Sequence, residues 1–158
     1  MPVLFYKTRF LLAILLSVLI LALSCKKTVE DKTQSILEQY FEQNVLNRDF
    51  RVDSATDNGI DKTVEYNGYI FRLEKDAGTN SNTAGPMIAK LNGTVTCTGT
   101  WSCTEEFGKL GINLTQPSIP APFIFLNRDW KFTEKAFPIM KLAPWGVASP
   151  KVLHMERL

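Results

Sequence analysis

Eleven residues constrain this chain more than any others: TVTCTGTWSCT, Thr94–Thr104. Every second position is Thr or Ser, and the positions between are Val95, Cys97, Gly99, Trp101 and Cys103. Period-two alternation places the two sets on opposite faces of a strand, one dry and one wet. The neighbouring segments read the same way. Tyr69, Phe71 and Leu73 alternate with Ile70, Arg72 and Glu74; Met87, Ala89 and Leu91 alternate with Ile88 and Lys90; Leu110, Ile112 and Leu114 follow. FIFLNRDWKFTEK, IMKLAPW and KVLHMERL complete the series as further strands. Asp57-Asn58-Gly59, Asn67-Gly68, Asn92-Gly93 and Glu106-Phe107-Gly108 punctuate them as turns. The expectation is a mainly β domain, an antiparallel meander of about seven to eight strands closing into a small barrel, since closure leaves no exposed edge.

Two segments break the alternation. DAGTNSNTAGP (Asp76–Pro86) reads as a loop, and TQPSIPAP (Thr115–Pro122), whose prolines withhold ladder donors, reads as a crossover. Ahead of the strands, Ile36, Leu37, Tyr40, Phe41 and Val45 recur at helical spacing from about Asp31 to Leu46. Thr33 or Asp31 is placed to cap this N-terminal amphipathic helix. Glu38, Glu42 and Gln43 on its polar face favour packing on the domain over lying on a membrane.

The first 24 residues have a different character. Lys7 and Arg9 precede a 14-residue run, Phe10–Leu23, interrupted only by Ser17. That is short of the roughly 20 residues a membrane-crossing helix needs. A basic start, a short apolar run and small residues at its end describe a secretory signal. Residues 1–24 hold two of the 18 basic residues and none of the 16 acidic ones, so the chain from Cys25 onward has 16 of each. That balance gives no basic surface for nucleic acid.

Several motifs have plain structural readings. Cys97 and Cys103 lie six residues apart on one extended strand, about 20 Å, too far for a disulfide with each other. They read as small buried apolar groups. DSATDNGID (Asp53–Asp61) misses the register of a calcium loop, with Ala55 at the third position and Asn58 at the sixth. His154 is the only histidine, and its neighbours supply neither a nucleophile nor an orienting acid. No cofactor, metal site or catalytic group is expected, and the chain reads as non-enzymatic. The aromatic residues Tyr69, Phe71, Trp101, Phe125 and Trp130 fall on expected strands, where they either fill the interior or line a cavity for a small hydrophobic ligand.

Leu21-Ala22-Leu23-Ser24-Cys25, followed by Lys26-Lys27, resembles a bacterial lipobox, with Ala22-Leu23 departing from the usual large-then-small order. The resemblance implies cleavage before Cys25 and acyl chains on that residue, which becomes the membrane attachment. It divides the chain into a signal (1–24), an acylated cysteine and tether (25–32) and a folded domain (33–158). PSIPAPFIFLNRDWKFTEK, MKLAPWG and VLHMERL, with ATDNGID and GTW…GKLGI, resemble small envelope lipoproteins of Bacteroidota described as lipocalin-like. Gly99-Thr100-Trp101 is similar to the Gly-x-Trp of lipocalins but sits in mid-chain rather than in the first strand. The resemblance implies a lipid-anchored protein of the bacterial cell envelope, at the outer membrane. Its expected partners are the membrane and either a small hydrophobic ligand or an envelope protein docked through the loops.

Overall fold

The computed structural model describes residue 36 and residues 38–79, 81–134, 138–146 and 148–158. The expected signal, Cys25, the expected tether, the expected capping residues Asp31 and Thr33, and Leu37 lie outside the described residues. The chain divides into two compact units, Met1–Ile36 and Leu37–Leu158, and the elements below belong to the second. Residues 38–44 are helical (α1). The strands are β1 (Asp49–Asp57), β2 (Ile60–Asp61), β3 (Tyr69–Leu73), β4 (Ala84–Leu91), β5 (Thr94–Thr104), β6 (Lys109–Gln116), β7 (Asp129–Glu134), β8 (Ile139–Pro144) and β9 (Val152–Arg157). A 3-10 turn, Thr63–Tyr66, precedes β3, and a four-residue helix, α2 (Phe123–Leu126), precedes β7.

All nine strands pair antiparallel in one sheet. The order is β2-β1-β3-β4-β5-β6-β7-β8-β9, and β9 pairs back to β1, so the sheet closes in a ring with β2 as a side branch. The Asn-Gly pairs set two of its turns. Asn58-Gly59 (φ 53° and 77°) and Asn92-Gly93 (φ 50° and 86°) are both left-handed, as two-residue hairpins require. They fix the registers Asp57↔Ile60 and Leu91↔Thr94.

Four bulges bend the strands. Asp53 in β1, Thr96 in β5, Thr115 in β6 and Thr133 in β7 are each the extra residue of a two-against-one pairing. The bulge at Thr96 corrects one reading of the sequence. Ala89 pairs with Cys97 but Lys90 with Val95, so Val95 leaves the face it shares with Cys97 in a regular strand. Val95 is 50% exposed, whereas Cys97, Trp101 and Cys103 are buried. Two further boundaries differ. Pro86 belongs to β4 rather than to the preceding loop. FIFL, expected as strand, is the helix α2, because it follows Pro120 and Pro122 and its backbone turns locally, Asn127 N–H bonding to Phe123 O.

The core fills the ring from both ends. Phe50, Phe71, Trp101, Leu110, Trp130 and Met155 have essentially no solvent exposure. Each such side chain contributes about 1.5–3 kcal/mol by leaving water. At one end α1 inserts Phe41, whose ring lies 5.4 Å from Trp101 and 5.5 Å from Phe107 in the β5–β6 turn. At the other end α2 inserts Phe123, 5.6 Å from Phe71 and 5.1 Å from Tyr69. The chain therefore enters the ring at the α1 end.

Candidate functional site

The five aromatic residues singled out in the sequence fall into three groups. Tyr69 and Phe71 stack with centroids 6.1 Å apart and share Phe123. Phe125 and Trp130 lie 5.5 Å apart, with the Arg128 guanidinium over both rings. Trp101 stands apart from these, against Phe41 at the α1 end. Phe125 reaches its place from α2 rather than from a strand. The polar tips of the tryptophans are committed as well: Trp101 Nε1 donates to Glu74 O (2.8 Å) and Trp130 Nε1 to Leu126 O (2.9 Å). Tyr66, which the sequence reading passed over, completes the first group. Its ring lies 6.4 Å from Phe71, its hydroxyl donates to Pro122 O (2.8 Å), and burial pushes its phenol well above the ordinary range.

The other chemistry-bearing residues support the fold. Cys97 and Cys103 are buried and not joined in a disulfide, and burial raises the Cys97 pKa. His154 faces outward between the buried Leu153 and Met155. Asp57 forms an ion pair with Lys151, whose hydrogen bond holds its carboxyl below the usual range. Asp61 accepts from the Thr63 N–H at 2.8 Å, and contacts with Thr63 lower its pKa likewise. Among the described residues, no group of three or more His, Cys, Asp and Glu side chains is placed to hold a metal ion. Among the same residues, no helix is long and apolar enough to cross a membrane.

The surface at the end opposite α1 is different in kind. Among the described residues seven large apolar side chains stand exposed, and five of them gather at this end: Ile60, Val64, Val95, Ile119 and Ile124. Two contacts draw their segments together. The Tyr66–Pro122 hydrogen bond ties the 3-10 turn carrying Val64 to the start of α2 carrying Ile124. Cys97 Sγ, 3.6 Å from Ser118 O, ties the start of β5 to the loop carrying Ile119. Four of the charged residues there form two ion pairs, Asp57 with Lys151 and Lys62 with Glu65 (3.1 Å), while Asp61 is held by Thr63 and Arg128 by carbonyl oxygens of α2. The exposed aliphatic side chains thus stand among charges that already have partners. One signal in the sequence points to it: Ile60 directly follows an Asn-Gly turn, where a hydrophobic residue has no core to enter. The others sit in segments whose solvent side only the fold defines.

Beside this tip, β1 and β3 diverge. They pair only at Asp49↔Arg72 and Phe50↔Phe71, and a cleft of about 320 Å³ opens between residues 51–53 and residues 66–70. Two shallower depressions lie on the outer face of the sheet. One, of about 610 Å³, runs under Asp76 and Ser81 beside Thr100; the other, of about 420 Å³, runs from Ser102 to Arg128. The charged groups of the smaller one are already engaged: Arg128 donates to Phe125 O and Ile124 O, and Asp129 pairs with Lys109. Comparison of this chain with family models, with curated proteins and with solved structures finds no match.

Proposed function

We propose that this chain is a non-enzymatic, lipid-anchored envelope lipoprotein whose ring is a small, solid lipocalin-like barrel that docks a partner protein. Acyl chains on Cys25 hold it to the membrane, and the apolar tip meets the partner. The observation that carries this reading is the gathering of Ile60, Val64, Val95, Ile119 and Ile124 at the end away from where the chain enters. Exposed aliphatic side chains grouped on one surface are a mark of interaction sites. The charges around them are engaged within the chain, two pairs with each other and Asp61 and Arg128 with polar groups, which suits a protein face better than an anionic surface. Acylation at more than one position gives stable anchoring, whereas a single chain is marginal. A ligand held inside the barrel has less support, because Phe71, Trp101 and Trp130 already occupy that space against their neighbours.

The test places a photocrosslinking residue at Val64, at Ile124 or at Glu106, on the α1 end, in the full chain in cells. One partner captured from both Val64 and Ile124 and not from Glu106 is expected, with capture from each lost when Ile60 and Val95 become Ser. Equal capture from all three positions overturns the docking face. Fatty-acid labelling that persists in Cys25→Ala overturns the anchor.

A further inference from the structure

The seam between β1 and β3 is the shortest in the ring, and parity along the strands says what it leaves open. Backbone groups of successive residues point to alternate edges of a strand. Asn92 N–H bonds to Gly68 O from the β4 side, and Asn47 N–H bonds to Leu73 O from the β1 side. Counting in twos between them, Phe71 and Tyr69 turn their N–H and C=O toward β1. On the other strand, Leu158 N–H bonds to Asp49 O from the β9 side, so Phe50 and Val52 turn theirs toward β3. Phe50 meets Phe71 in register. The next rung is Val52 against Tyr69, and the ladder stops before it.

Both sides of that rung are clamped. On the α1 side, Arg72 grips Asp49 with two parallel hydrogen bonds of 2.7 and 2.8 Å. On the tip side, Ala55 has other partners: its N–H donates to Thr63 Oγ1 (3.0 Å) and its C=O accepts from Lys62 N–H (2.8 Å). The opening therefore lies between these two clamps. It coincides with the 320 Å³ cleft, which lies at the lower end of the range for small binding sites, about 300–1,000 Å³. Val64, on the apolar tip, is two residues from Tyr66 in the cleft wall.

We propose that this open rung binds the main chain of a short extended peptide segment. By parity each wall turns one N–H and one C=O toward the other at this rung, beyond the end of the ladder, and a peptide backbone in extended form offers the matching pair. Side chains of the same segment would then fall on Ile60 and Val64. The inference rests on the docking reading above and names what the partner contributes: an extended strand rather than a helix or a lipid.

Backbone amide exchange on the full chain in detergent micelles tests it, with a capped Thr-Val-Thr-Val tetrapeptide as the probe. Without peptide, the Val52 and Tyr69 amides exchange at least about 100-fold faster than those of Phe50 and Phe71. Millimolar peptide slows both by about tenfold, and the same peptide N-methylated at alternate amides does not. Slow exchange of Val52 and Tyr69 in the free protein overturns the proposal, since the rung is then closed. So does an equal effect, or none, from the two peptides. If the crosslinks from Val64 and Ile124 persist while the peptide has no effect, only the peptide site fails. If the peptide protects the rung and the crosslinks vanish, the docking reading fails instead.

Discussion

At Gly99 the fold requires the absence of a side chain. A Cβ there would lie well inside van der Waals contact of Asn113 O and 2.7 Å from Leu114 Cα, because the bulge at Thr115 folds β6 tightly against β5. Gly59 is a glycine for a different reason. It needs φ 77°, which L-residues rarely adopt, yet nothing lies within 4 Å of its missing Cβ. The two mechanisms have different magnitudes. Gly59→Ala costs about 1–2 kcal/mol of backbone strain. Gly99→Ala drives one strand into the backbone of another and costs about 3 kcal/mol or more. Urea unfolding of the two variants checks this; a midpoint for Gly99→Ala as high as that for Gly59→Ala contradicts the close approach.

Among the elements, α2 shows how a break in the ring is repaired. β6 pairs with β7 only at residues 109–111, which leaves the β7-facing edge of its far half without a partner strand, although β5 pairs along its other edge. Asn127, just after α2, fills the gap with its side-chain amide: Oδ1 accepts from Leu114 N–H (2.8 Å) and Nδ2 donates to Leu114 O (2.7 Å). Asn127→Ala strands both groups beside the buried Leu114, at a cost of about 1–3 kcal/mol for each group that water does not reach. Faster amide exchange at Leu114, with Leu110 unchanged, is the local signature expected. Little of this repair was legible in the sequence. Strands with unbroken alternation, such as β3 and β6, were readable because solvent and core impose period two. β1 was not singled out, since the bulge at Asp53 moves the buried position from Ser54 to Ala55 and breaks the pattern after Phe50 and Val52. FIFL reads as strand by composition, and only its proline-flanked connection makes it a helix. The aromatic residues were found, but which ring meets which depends on ring closure, a property of no single segment.

For the whole molecule, closure depends on one seam of two residue pairs, stapled by Asp49 and Arg72. Hydrogen bonding to Arg72 holds the Asp49 carboxyl below the ordinary range, so its ionised form is favoured by folding. The sign follows from linkage. A group whose pKa is lowered by folding contributes stability that is complete above its unfolded value, near pH 4, and is lost as the pH falls through the lower folded value. Both side chains are about one-third exposed, at 33% and 34%, so solvent screening limits the pair to about 1 kcal/mol. Acid should therefore loosen the ring at this seam before the long β4–β5 ladder. Between about pH 5 and pH 2, wild type loses about 1 kcal/mol more stability than Asp49→Asn, whose side chain does not titrate. In wild type the Phe50 and Phe71 amides lose protection at a higher pH than Ala89 in β4. Parallel acid profiles for wild type and Asp49→Asn, with Phe50 as protected as Ala89 throughout, would show that the seam is closed by packing alone.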